Sequence, residues 1–135
     1  MRKLSFFLML VLLMLLGLGA CKKSEGPDAG QIAAVAAKGY YDLLLAGKYE
    51  DFVAGYNQPN RLPAGYHQQL VLNAQMFVEQ QEEEHKGMKK VEVINAKADT
   101  AKHVADVFLS VAYGDSTKEQ IVVPMVEVGG TWKMR

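Results

Sequence analysis

The sequence predicts an α+β domain, three helices followed by a four-stranded antiparallel sheet, and three observations predict it. Between Asp28 and Gly87, apolar residues recur at steps of three and four, the period of one helix face. From Met88 onward the chain changes to short runs rich in β-branched and aromatic residues. Those runs are separated by Asp99-Thr100, Gly114-Asp115-Ser116 and Gly129-Gly130. Links this short require antiparallel neighbours, because a parallel crossover needs a dozen residues or more.

The chain begins with a segment of a different kind. Arg2 and Lys3 precede an apolar run from Leu4 to Leu16 that Ser5 alone interrupts, followed by Leu18-Gly19-Ala20-Cys21. A basic start, an apolar middle and small residues before a cut are the three regions of a secretory signal. The segment resembles a bacterial lipoprotein signal peptide ending in a lipobox. That resemblance implies removal of residues 1–20 and diacylglycerol on the sulfur of Cys21, the chain's single cysteine. An uncleaved transmembrane helix fits less well. Leu4 to Ala20 is at the short end of the roughly 17 to 25 residues that span a bilayer. Lys22 stands where an aspartate marks inner-membrane retention in enterobacteria, so the same resemblance implies the outer membrane of a Gram-negative cell envelope.

A sole cysteine committed to lipid leaves no disulfide, so the mature fold must hold by packing. Without residues 1–20 the chain keeps thirteen basic against fifteen acidic residues, a net of −2. Neither sign clusters as a polyanion-binding surface would require, which argues against nucleic acid as a partner. Residues 21–30, Cys21 through the run KKSEGPDAG, are polar and turn-forming and are expected to be a lipidated tether. Lys22 and Lys23 either face lipid headgroups or simply keep the linker soluble. One domain over residues 31–135 suits the remaining length.

Asp28 and Gln31 form a capping-box pattern that opens the first helix. Ile32, Val35, Ala36, Gly39, Tyr40, Leu43 and Leu44 give it one apolar stripe and Ala33, Ala37, Tyr41 and Leu45 another, so this helix is expected to be covered on most sides, ending at Gly47. A second, short helix from Lys48 to about Tyr56 places Tyr49, Phe52, Val53 and Tyr56 together before Asn57-Gln58-Pro59-Asn60 breaks it. The third is expected to start at Pro63 and run through Leu70, Ala74, Phe77 and Val78 to His85-Lys86, stopping at Gly87.

The expected strands are Met88 to Lys97, Lys102 to Tyr113, Lys118 to Val128 and Thr131 to Met134. In the second, His103, Ala105, Val107, Leu109, Val111 and Tyr113 share the face the helices should cover, and Lys102, Asp106 and Ser110 share the other. The third strand, Ile121 to Val126, is apolar on both sides, which predicts enclosure on both faces, and Pro124 predicts a bulge or an edge.

The order of elements, Tyr40-Tyr41 in the first helix, the step Ala46-Gly47-Lys48-Tyr49 leading to Phe52, and Trp132 after a glycine turn complete a pattern. It resembles the cone-shaped nuclear-transport-factor-2-like (NTF2-like, cystatin-like) superfamily, and more narrowly the small bacterial envelope domains grouped as domain of unknown function 4878. The resemblance covers Gln31 to Arg135. It implies a curved sheet wrapped around the helices with a cavity at the cone's open end. In members that are enzymes, the cavity holds acid-base groups for isomerisation or dehydration. In others it is filled, or binds a ligand or partner without chemistry.

Asp106 is the sharpest catalytic candidate, because a carboxylate between Val104 and Phe108 can be desolvated toward general-base duty. Alone on its face it more readily fits the solvated outer surface, beside Lys102 or a cross-strand cation. Tyr40, Tyr41, Tyr56, Tyr66 and Trp132 offer ring faces and polar handles for a pocket, or simply form the core. Aromatic residues at three-four spacing usually pack as core, and Asn73 and Gln69 on the third helix only slightly favour a polar-lined cavity over a filled one. Glu79, Glu82, Glu83, Glu84 and His85 suggest a metal site, yet Glu82 and Lys86 at four-residue spacing suit an ion-paired, solvated helix face. With His67 and His103 far off in sequence, no metal and no other cofactor is expected. No phosphate loop, nucleophile elbow or internal repeat occurs.

The expectation is therefore a lipid-anchored envelope protein whose cone is non-catalytic and binds a small apolar ligand or an envelope protein. One alternative is a hydratase- or isomerase-like enzyme with an acid-base residue in the cone. The other is a structural module that forms a homodimer through its exposed sheet face.

Overall fold

A computed structural model describes residues 28–135. The signal segment, the tether to Pro27 and Cys21 lie outside the described residues. The fold is α+β: α1 (Ala29–Leu45), α2 (Tyr49–Ala54) and α3 (Tyr66–His85) precede β1 (Met88–Asp99), β2 (Val104–Tyr113), β3 (Lys118–Val128) and β4 (Thr131–Met134). The strands lie in sequence order, all antiparallel, in a curved, open sheet. Among the described residues no helix is long and apolar enough to cross a membrane.

The capping box opens α1. The Asp28 carboxylate accepts from Gln31 N at 2.7 Å, and Gln31 Oε1 accepts from Asp28 N at 3.1 Å. Gly47, at φ 77°, lets the chain turn out of the helix as its N–H and that of Lys48 reach back to Leu44 O and Leu43 O. The buried face departs from expectation. Ala33, Ala34, Ala37 and Leu44 pack inward, whereas Ile32 is exposed and Val35 is 73% exposed. Small residues win because they let the helix lie close to the sheet: a Cβ on buried Gly30 would be 3.5 Å from the Ala96 carbonyl oxygen of β1.

The short α2 turns across α1 through an aromatic ladder. The Tyr41 and Phe52 rings meet edge to face at 5.5 Å, as do Phe52 and Tyr56 at 5.6 Å. Beyond it the chain pairs with the free edge of β4: Asn57 N donates to Met134 O, and Met134 N to Gly55 O. This covers an edge that would otherwise be open to pairing with another chain.

α3 starts at Tyr66, three residues later than Pro63 suggested, because Gly65 at φ 81° forms its N-terminal boundary. It ends at Lys86 and Gly87, both in the left-handed region. Its docking is light. Only Ala74 and Gln81 are buried, while Leu72, Met76 and Phe77 stay exposed.

β2 supplies the centre of the core. Ala105, Val107, Leu109, Val111 and Tyr113 are all buried, as the alternation required. β3 corrects an expectation: Val123 and Met125 face the core, but Val122 on its other side is 50% exposed, so this strand is enclosed on one face only. The apolar doublet does not need a second cover because an antiparallel sheet can leave one face in solvent. Pro124 sits in unbroken register opposite Asp106, and its carbonyl accepts from Arg135 N at 3.0 Å, just past the end of β4. Its missing N–H therefore falls where no strand continues. The register shifts are in β1, between Met88 and Lys90 and between Val93 and Asn95.

Candidate binding site

Light docking of α3 leaves two adjoining chambers, one among the helices and one between α3 and the sheet. The first, an open cleft of about 310 Å³, is lined by Tyr41 and Leu44 of α1, Phe52 and Val53 of α2, Tyr56, and Leu70, Asn73, Ala74 and Phe77 of α3. Its walls are aliphatic and aromatic, with polar groups only at two phenols and one amide, the character of sites for small apolar molecules. Burial pushes the Tyr41 phenol up to about 12, with Tyr56 beside it adding to the shift, and burial raises Tyr56 as well. Both therefore remain neutral hydrogen-bonding groups at physiological pH. The Asn73 amide oxygen accepts from Gln69 on the same helix at 2.8 Å, which leaves its amide N–H groups available.

The second chamber, about 370 Å³, shares Tyr41 and Phe77 with the first and is far more polar. Gln81, Glu84 and His85 come from the last turns of α3, Val111 and Tyr113 from β2, Glu119 and Ile121 from β3, and Met88 from the start of β1. The hairpin between β2 and β3 brings these groups together. Asp115 N donates to His85 O and Gly114 N to Gly87 O, pinning the turn against the end of α3. His85 stacks on Tyr113 with ring centroids 4.5 Å apart, and its Nδ1 lies 3.0 Å from Asp115 Oδ2. The Tyr113 hydroxyl donates to Glu119 Oε2 at 2.6 Å.

Charge follows from these contacts. Hydrogen bonds from the Thr117 hydroxyl, from His85 and from the Thr117 backbone hold the Asp115 carboxyl down at about 2. An ionised Asp115 only accepts, so His85 Nδ1 carries the proton that joins them. Desolvation first, then the bond to Glu119, pushes the Tyr113 phenol up to about 12. An oriented imidazole beside a neutral phenol is a grouping used in acid-base catalysis. Here the same contacts also latch a helix end to a hairpin.

The residues singled out in the sequence separate into three sets. Tyr41, Tyr56 and Asn73 line the first chamber. Tyr40 and Trp132 belong to the structural core: Trp132 is buried, and the Tyr40 hydroxyl donates to its carbonyl oxygen. Tyr66 stands exposed at the start of α3. Asp106 is exposed on the outer sheet face, beside a shallow groove with Lys97 and Arg135. His103 lies in the turn before β2, exposed, with Nδ1 3.3 Å from Glu127 Oε1. Among the described residues no cluster of His, Cys, Asp and Glu suits a metal ion.

Sequence reasoning missed the polar chamber. Glu119 shares the inward parity of Ile121, Val123 and Met125 and is paired with Val111, so the period-two pattern of β3 held the signal. Sequence alone places His85 on a solvated helix end, because a partner in a turn 30 residues away leaves no local trace.

No protein-family model and no curated protein matches the sequence. Among solved structures, the chain is similar to a Campylobacter jejuni protein described as an NTF2-like transpeptidase. The two share 11% identity with a TM-score of 0.59, over 73% of this chain and 92% of that one. At that identity the likeness establishes the NTF2-like fold alone.

Proposed function

We propose that this chain is a lipid-anchored cell-envelope protein whose non-catalytic cone binds a small apolar ligand. The first chamber carries the reading: an apolar volume of about 310 Å³ among three helices, with Tyr41, Tyr56 and Asn73 as its polar groups. The anchor rests on the N-terminal segment, whose basic start, apolar run and Cys21 match a lipoprotein signal. A ligand-binding domain tethered to the outer membrane would meet apolar molecules that partition near lipid.

The test is calorimetric titration of 4-phenyl-1-butanol into the full chain held in phosphatidylcholine nanodiscs, with empty nanodiscs as the blank. Saturable one-to-one binding is expected. Ala74→Leu, which extends a wall residue into the chamber, should abolish it. Heats that match the blank would sink the reading.

A hydratase- or isomerase-like activity is favoured by one observation, the oriented His85 beside Tyr113. The neighbour's transpeptidase description brings no residue with it.

A further inference from the structure

We propose that the second chamber receives an organic ammonium group, making the ligand of the cone an amphipathic amine. The inference rests on the ligand-binding reading above and names the chemistry of the ligand's other end.

Three observations converge. The lining includes two carboxylates, Glu84 and Glu119, and no lysine or arginine. Neither carboxylate is ion-paired among the described residues, whose four ion pairs are Lys38 with Asp42, His85 with Asp115, Lys90 with Glu92 and His103 with Glu127. Glu84 accepts only from the Gln80 amide and Glu119 only from the Tyr113 hydroxyl, so lone pairs remain on both.

Gln81 is the second, independent indication. It is the one buried polar residue of the described chain, 8% exposed, yet its side chain makes no hydrogen bond there. Burial of the rest of the residue holds this amide at the chamber wall, with its hydrogen-bonding groups free for a guest or for water. No side-chain polar atom is sealed off without a partner, so the Gln81 amide opens onto the chamber it lines. Its carbonyl adds an acceptor and its NH2 two donors, so with four carboxylate oxygens beside it the acceptors still predominate.

Acceptors in excess call for a donor-rich guest, and an ammonium offers three N–H donors with the complementary charge. An anionic headgroup would instead meet two like charges. Tyr41 and Phe77, common to both chambers, give the methylenes next to the ammonium an apolar saddle between them.

The experiment extends the nanodisc calorimetry to three probes with one apolar body: 4-phenylbutylamine, 4-phenyl-1-butanol and 4-phenylbutyrate. The amine is expected to bind about tenfold tighter than the alcohol, and the carboxylate more weakly than either, a charge-assisted hydrogen bond exceeding a neutral one by about that factor. Glu119→Gln and Glu84→Gln should each narrow the ratio of amine to alcohol affinity. Glu84 is exposed on α3, so its variant answers even if Glu119→Gln disturbs Tyr113 and the fold. If the alcohol binds and the amine is no tighter, or if the ratio survives both substitutions, the ammonium site is wrong while the apolar chamber stands. If no probe binds, both readings fail.

Discussion

The Tyr40 hydroxyl donates to the Trp132 carbonyl oxygen at 2.6 Å, joining the first helix to the last strand across 92 positions of sequence. The bond is partly buried and sits where α1 crosses β4. Tyr40→Phe keeps the ring and deletes the donor, leaving that carbonyl short of a partner. A loss of about 1–2 kcal/mol is expected, read as a lower urea midpoint at unchanged slope. An unchanged midpoint would show that the bond contributes nothing net.

Gly55 makes that contact available. A Cβ there would come 2.5 Å from Tyr40 Cδ1 and 2.7 Å from Cε1, although the backbone angle of φ −74° would suit any residue. The constraint is therefore steric, and Gly55→Ala should push the Tyr40 ring out of position at about 1–3 kcal/mol. Because the displaced ring also loses the bond to Trp132, the double variant with Tyr40→Phe should cost less than the two singles combined. Strict additivity in urea unfolding would separate Gly55 from Tyr40.

How far the sequence discloses such relationships depends on whether their signal is local. The capping box at Asp28, the stop at Gly47 and the buried parity of β2 rest on residues within a few positions of one another, and all are legible. The buried face of α1 is not. Ile32 and Val35 look like a core stripe, but close approach of the helix to β1 favours Ala33, Ala34 and Ala37, and only the packed distance reveals that. The first chamber was half legible, since helix periodicity gathers Tyr41, Tyr56 and Asn73 among apolar neighbours while giving no reason to exclude Tyr40, Trp132 or Tyr66. The second depends on a helix end meeting a hairpin turn, a contact between distant segments with no periodicity behind it.

That junction should be sensitive to acid. The Asp115 carboxyl titrates at about 2 when folded, against an ordinary value of 3.8, chiefly through Thr117 and then His85. A depressed pKa means the folded state favours the charged form. The resulting stability is fully present above pH 3.8 and is lost as pH falls toward 2. Asp115→Asn should therefore melt below the parent protein at pH 7, and the gap should close between about pH 4 and pH 2. A gap in melting temperature that persists at pH 2 would assign the effect to packing instead of charge.

The anchor can be tested through mass alone. If Cys21 is the lipidated first residue of the mature protein, expression of the full chain in a Gram-negative host should give a membrane-bound species lacking residues 1–20. Its N-terminal peptide should carry the mass of a diacylglyceryl group, with or without an added acyl chain. Cys21→Ser removes the only thiol of the chain, so the same host should accumulate the unmodified precursor with residues 1–20 still attached. A single acyl chain gives only marginal membrane residence, whereas the two or three expected here hold firmly, so the parent should resist a high-salt wash. Recovery of Cys21→Ser as a processed protein of the parent's mass less its lipid would mean that a different peptidase cuts and that Cys21 serves no anchor.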